Sequence, residues 1–212
     1  MAKKKEQTIE LQEIHVNTAI VTIEGTGDLV LNKMNDPTAR ELTAIRQDKA
    51  KSLEKPNEWE CIMTSLHWRD GKPVDFTEEG FEKALKENAP CITSFGLKKA
   101  ILAAVVRNGI DQYSTKMDSA LNIIASAGLI PISFAEHYID EKLMSPQRGK
   151  PVLVKLNRFS GWKAKFKIQY TENVYSIEQI VNVINLAGFG GGVGSGRTSG
   201  YGRFTVTDVQ NA

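Results

Sequence analysis

Residues 163–170 alternate without interruption. Ala164, Phe166, Ile168 and Tyr170 fall on one side, Lys163, Lys165, Lys167 and Gln169 on the other. That two-residue period predicts a strand with one face in a core. The period then changes. Ser176 precedes a stripe of Ile177, Ile180, Val181 and Ile184, which predicts a capped amphipathic helix over 177–187. A β-rich stretch at 201–209 predicts a closing strand. The last third of the chain therefore reads strand, helix, glycine-rich loop, strand.

Earlier patterns are less regular. Residues 8–16 and 19–25 look extended. A turn at 25–28 and a strand at 29–31 would complete an early hairpin, ended at 35–37. The polar run 38–55 predicts a surface helix or loop. Residues 58–68, with Trp59, Cys61 and Met63 on one side, predict a second strand. A turn at 70–73 leads to a short helix opened by Thr77. The clearest helix lies within 90–108, with Ser94 as its cap and Leu97, Ile101, Ala104 and Val105 as its apolar stripe. Residues 117–128 predict another helix, broken at 129–132, and 152–156 a short strand.

Composition narrows the classes. The 212 residues suit one domain, 1–212. No apolar run approaches the roughly 20 residues of a membrane span. Cys61 and Cys91 lack metal-ligand spacing, so they read as reduced thiols of a cytoplasmic protein. The net charge of +2 says little, but its distribution says more. Residues 145–212 hold nine Lys/Arg (Arg158 among them) against three acids, a local charge of +6 that leaves −4 for the rest. A basic segment beside a flexible loop is a candidate footprint for a polyanion. A solvated strand face with edge lysines explains it equally well.

Eight glycines crowd the fifteen residues from Gly188 to Gly202. Arg197, Tyr201 and Arg203 lie within or beside the run, which a plain linker would not need. Glycine-rich turns can aim consecutive N–H groups at an anion. A nucleotide-hydrolysing phosphate loop is excluded. Arg197 stands where the lysine should be, the run follows a helix and opens a strand, and few residues remain for a metal-binding acid.

The stretch Gly196-Arg197-Thr198-Ser199-Gly200-Tyr201-Gly202-Arg203-Phe204 resembles the C-terminal signature of the RAMP superfamily, the CRISPR-associated RNA-binding proteins. A second similarity, at 92–101, matches the helix start that backbone-type members place beside RNA. The chain also resembles small phage-encoded proteins with a similar loop and tail. The resemblance covers about a third of the chain. It implies an α+β, ferredoxin-like (RRM-like) antiparallel sheet with helices on one face, a helical insertion and the C-terminal glycine-rich loop. Residues 112–145 would form an inserted or peripheral helical lobe.

The resemblance further implies non-catalytic binding of RNA or another single-stranded nucleic acid, as a multimer along the strand. Phosphates would go to the loop backbone (Gly190, Gly192, Gly194, Gly196, Thr198), to Arg197 and to Arg203. Tyr201 or Trp162 would stack bases. Arg158, Lys163 and Lys165 would add charge, and Lys98 and Lys99 would face RNA or solvent. Other copies, or phage or host subunits, are the further expected partners. No cofactor, metal or membrane is expected. The alternatives are a metal-independent endoribonuclease using His15, His67 or His137, and a phage protein that occupies a host protein. The sequence does not gather the histidines, so catalysis is not expected.

Overall fold

The computed structural model describes residues 14–47, 56–144 and 152–211. The chain runs β1 (Val16–Gly25), β2 (Leu29–Leu31), α1 (Asp36–Arg46), α2 (Glu58–Thr64), β3 (His67–Trp68), α3 (Glu78–Glu87), β4 (Pro90–Thr93) and α4 (Ser94–Arg107). It continues through α5 (Thr115–Ala120), β5 (Leu121–Ile124), β6 (Leu129–Ser133), β7 (Glu136–Met144), β8 (Val152–Ser160), β9 (Lys163–Thr171), α6 (Ile177–Leu186) and β10 (Phe204–Asn211). Among the described residues, no helix is long and apolar enough to cross a membrane.

Seven strands form the main sheet, ordered β10-β1-β9-β6-β4-β3, with β5 also paired to β9. Every pairing is antiparallel. Within it, β1, α4, the β5–β6 pair, β9, α6 and β10 follow the ferredoxin-like β-α-β-β-α-β path. The alternation of β9 explains its place. Ala164, Phe166, Ile168 and Tyr170 are buried while Lys163, Lys165 and Lys167 are exposed. Ala19, Val21 and Ile23 of β1 join that buried face. The stripes of α4 (Leu97, Ile101, Val105) and α6 (Ile180, Ile184) contribute fully buried side chains to the same core. Ser176 caps α6 through a reciprocal box with Gln179, satisfying two otherwise orphaned backbone groups. β1 is thus flanked on both sides by strands from the last quarter of the chain.

Two insertions decorate this core. Between β1 and α4, the first carries α1, α2 and α3 together with β2, β3 and β4, the last two of which extend the main sheet. The second is the hairpin of β7 and β8, which recruits β2 into a separate three-stranded sheet. Asn157, completely buried on β8, fastens that sheet to α2. Its amide donates to the Ile62 carbonyl (3.1 Å) and to Ser65 Oγ (3.0 Å). Its oxygen meets His137 Nε2 at 2.9 Å.

Several local expectations are corrected. β2 does not pair with β1 as a hairpin; its partner is β8. Residues 58–64 form a helix, because Asn57 accepts from the N–H groups of Trp59 and Glu60 and caps it. The spacing of Trp59, Ile62, Met63 and Leu66 is helical, and the last three are buried. Thr93, not Ser94, caps α4. The 117–128 helix stops at Ala120, where β5 pairs with β9. Residues 112–144 are accordingly no helical lobe. Beyond α5 they supply β5 and β6 to the main sheet and β7 to the hairpin. The helical insertion lies earlier in the chain. The extended stretch expected at 8–16 falls largely outside the described residues.

Candidate nucleic-acid interface

After α6 the chain makes one wide turn, Ala187–Gly191, and threads beneath β2. Ser195 N–H donates to the Val30 carbonyl (2.7 Å), and Val193 N–H to the Gly202 carbonyl (2.9 Å). Gly202 N–H donates to the Asp28 carbonyl (2.7 Å). Two glycines show why the run is needed. At Gly202, with φ +72°, a Cβ would stand 1.8 Å from the Val193 carbonyl oxygen. At Gly194, with φ +78°, it would stand 2.5 Å from the Val30 oxygen. Glycine here permits close backbone packing. It does not leave an open row of donors. Gly192, Val193, Ser195, Ser199, Gly200 and Gly202 all spend their N–H groups inside the protein. Gly194 and Gly196 are exposed, and their N–H groups meet no acceptor among the described residues.

Between this loop, the start of α4 and the segment after β2 lies a cleft of about 270 Å³. Leu31, Ile92, Leu97 and Val193 give it apolar walls. Three cations line it: Lys33, Lys99 and Arg197. No carboxylate lines the cleft, and none of the three has an ion-pair partner among the described residues. Phe95, 67% exposed, also lines it, with Lys99 Nζ 4.4 Å from its ring centroid. His67 lines the cleft too. Burial, and then the charge of Lys33, hold its pKa below the ordinary histidine value. Burial pushes the neighbouring Cys91 thiol up to about 11, so it stays protonated and inert at neutral pH.

The sequence-derived candidates divide on this geometry. Lys99, Arg197 and Gly194 line the cleft. Gly196 and Thr198 are exposed in the adjoining loop, and Gly190 is exposed at its start. Gly192 is buried under it. Lys98 instead pairs with Asp118 at 2.7 Å, and Lys163 with Glu24 at 3.1 Å. Arg158 Nε donates to Asp28 (2.6 Å), which raises its pKa further, and its guanidinium sits against the Tyr201 ring (5.7 Å). Arg158 and Tyr201 thereby brace the loop. Arg203 Nη2 reaches the Arg197 carbonyl at 3.5 Å, and Nη1 is buried with no partner among the described residues. Lys165 stands exposed on the uncovered sheet face, opposite Thr22.

Trp162 requires correction. It is completely buried, donates from Nε1 to the Gly27 carbonyl (2.9 Å) and packs edge-on to Phe204. It cannot stack on a base. Lys33 stands in no motif, and Phe95, though within the 92–101 similarity, has no binding role there; only the tertiary fold brings both to the cleft. The histidines remain apart. His15 precedes β1, His67 lines the cleft, and His137 lies between the rings of Phe81 and Phe159.

No family model and no curated protein matches the sequence. Among solved structures, the fold is similar to a chain in the cryo-EM structure of the type III-B Cmr-beta bound to cognate target RNA. The TM-score is 0.50 at 12% identity, over 92% of this chain and 60% of that one. The chain thus spans about three fifths of that neighbour's length, and at this identity the likeness is one of fold alone.

Proposed function

We propose that the protein binds single-stranded RNA without cleaving it, with the phosphate backbone crossing the cleft between the glycine loop and the start of α4. The observation that carries this reading is the convergence of Lys33, Lys99 and Arg197, with no carboxylate in the cleft they line. Cations left unpaired around an apolar cavity favour a polyanion, since each phosphate they neutralise releases counterions. The RNA bound by the structural neighbour supports the choice of polymer. Gly194 and Gly196 supply backbone donors beside Arg197, while Lys98, Arg158 and Lys163 are largely neutralised and contribute little. Further copies, or other subunits, assemble along the strand.

Fluorescence anisotropy with a labelled RNA oligomer across a salt series tests this. Binding should weaken linearly on a log–log scale. Arg197→Ala, Lys99→Ala and Lys33→Ala should each reduce the slope by about 0.7, the single-strand value per phosphate. The RNA should be recovered intact. No binding at low salt, or a slope unchanged in all three variants, overturns the reading.

A further inference from the structure

We propose that the cleft takes one unstacked nucleotide of the bound strand, its base inserted between the apolar walls and its flanking phosphates held at the cationic rim. This rests on the RNA-binding reading and adds a base site to it. A surface that tracked only phosphates would need no cavity. Here the three cations surround one, and its volume of about 270 Å³ lies at the lower edge of the roughly 300–1,000 Å³ typical of small-ligand clefts. That space accommodates a single base-sized guest.

The lining matches such a guest in chemistry as well as size. Leu31, Ile92 and Val193, each only slightly exposed, with Leu97 fully buried behind them, floor the cleft with an apolar surface against which a base can lie. Polar groups stand within it for the base edge. His67, kept neutral by burial, presents one donor and one acceptor nitrogen. The Thr93 hydroxyl accepts from Gly96 N–H at 3.1 Å, which leaves its own proton free to donate. Phe95 offers an exposed ring at the lip for the neighbouring base. The occupant is argued from charge complementarity: the walls are apolar, the lining holds three positive groups and no acid, and a nucleotide is apolar in its base faces and negative at its phosphate.

The test measures binding of a 12-residue RNA and of the same backbone carrying abasic sites throughout, together with uridine and adenosine monophosphates against ribose 5-phosphate. Two variants plug the cavity from opposite sides, His67→Trp and Ser195→Phe, each checked by circular dichroism for a retained fold. The expected result is at least a tenfold loss of affinity for the abasic strand. A comparable loss is expected for base-containing RNA in both variants, with little change for abasic RNA. Nucleoside monophosphates should exceed ribose 5-phosphate by a similar factor. Equal binding of normal and abasic strands, with the plugged variants unaffected, overturns the base site and leaves the phosphate-binding reading intact. Monophosphate binding without RNA binding overturns the polymer reading and supports the pocket. Binding of neither overturns both.

Discussion

Replacing Gly202 by alanine should damage the protein more than any other single methyl group in the glycine run. The residue sits at φ +72°, and its Cβ would fall 1.8 Å from the Val193 carbonyl oxygen. The left-handed backbone costs a non-glycine residue about 1–2 kcal/mol. Relief of the clash requires the strands of the loop to part. That opens the Val193 N–H to Gly202 bond and the Gly202 N–H to Asp28 bond, at about 0.5–1.5 kcal/mol each. The sum is about 2–5 kcal/mol. For a chain of this size, with roughly 2–4 °C per kcal/mol, the melting temperature should drop by about 10 °C. Gly190→Ala is the control, since its Cβ meets nothing within 4 Å and its φ is not positive. It should leave the melting temperature unchanged or slightly raised. Calorimetry or urea denaturation reads both. RNA affinity, measured below both melting transitions, should fall for Gly202→Ala because Arg197 loses its fixed position, and hold for Gly190→Ala. If Gly202→Ala melts with the wild type while Gly190→Ala loses RNA binding, the run acts as an open row of donors and the packing argument is wrong.

Other perturbations separate the remaining claims. Asn157→Ala should cost about 1–3 kcal/mol in urea denaturation, because it strips the partly buried His137 Nε2 of its partner and cuts the tie from β8 to α2, while the Ile62 carbonyl keeps the bond it accepts from the Ser65 hydroxyl. Acidification should destabilise the fold. His67 and His137 are both held below the ordinary value of 6.5 by burial, so the unfolded chain takes up protons first. Their contribution is complete above pH 6.5 and is lost as pH falls below it, and denaturation midpoints in His137→Gln should show a flatter pH dependence. Lys163→Ala and Lys98→Ala should leave the salt slope of RNA binding unchanged, since Glu24 and Asp118 already neutralise these lysines. A drop like that of Arg197→Ala would show that RNA displaces the carboxylates. Asp28→Ala should lower RNA affinity although it removes a negative charge, because it frees the Arg158 brace; a gain in affinity would show that Arg158 itself contacts phosphate.

What could be read from the chain followed the range of the interactions. The strand at β9 and the capped helix α6 were legible, because their buried faces recur at a single local period and Ser176 marks the helix start. Residues 58–64 mislead because Trp59, Cys61 and Met63 imitate alternation, while the decisive cap lies one residue earlier, at Asn57. Residues 121–124 mislead because Leu121, Ile123 and Ile124 in so short a segment fit either a helix or a strand, and only pairing with β9 decides. The partner of β2 is more than a hundred residues away and leaves no local trace. The same division runs through the site. Arg197 and Lys99 stand beside recognisable motifs. Lys33 lies in an unremarkable loop, and the carboxylates that silence Lys98, Arg158 and Lys163 are invisible until the chain is folded.

The position of β1 carries a consequence for how the protein is made. β1 is sandwiched between β9 and β10, so its two edges wait for segments synthesised long after it. A nascent chain halted before residue 204 leaves β1 as the edge of the sheet, with one margin bare and open to other nascent chains. Ribosomal pausing between β1 and β10 should therefore be hazardous, and chaperone engagement should persist until β10 emerges from the exit tunnel.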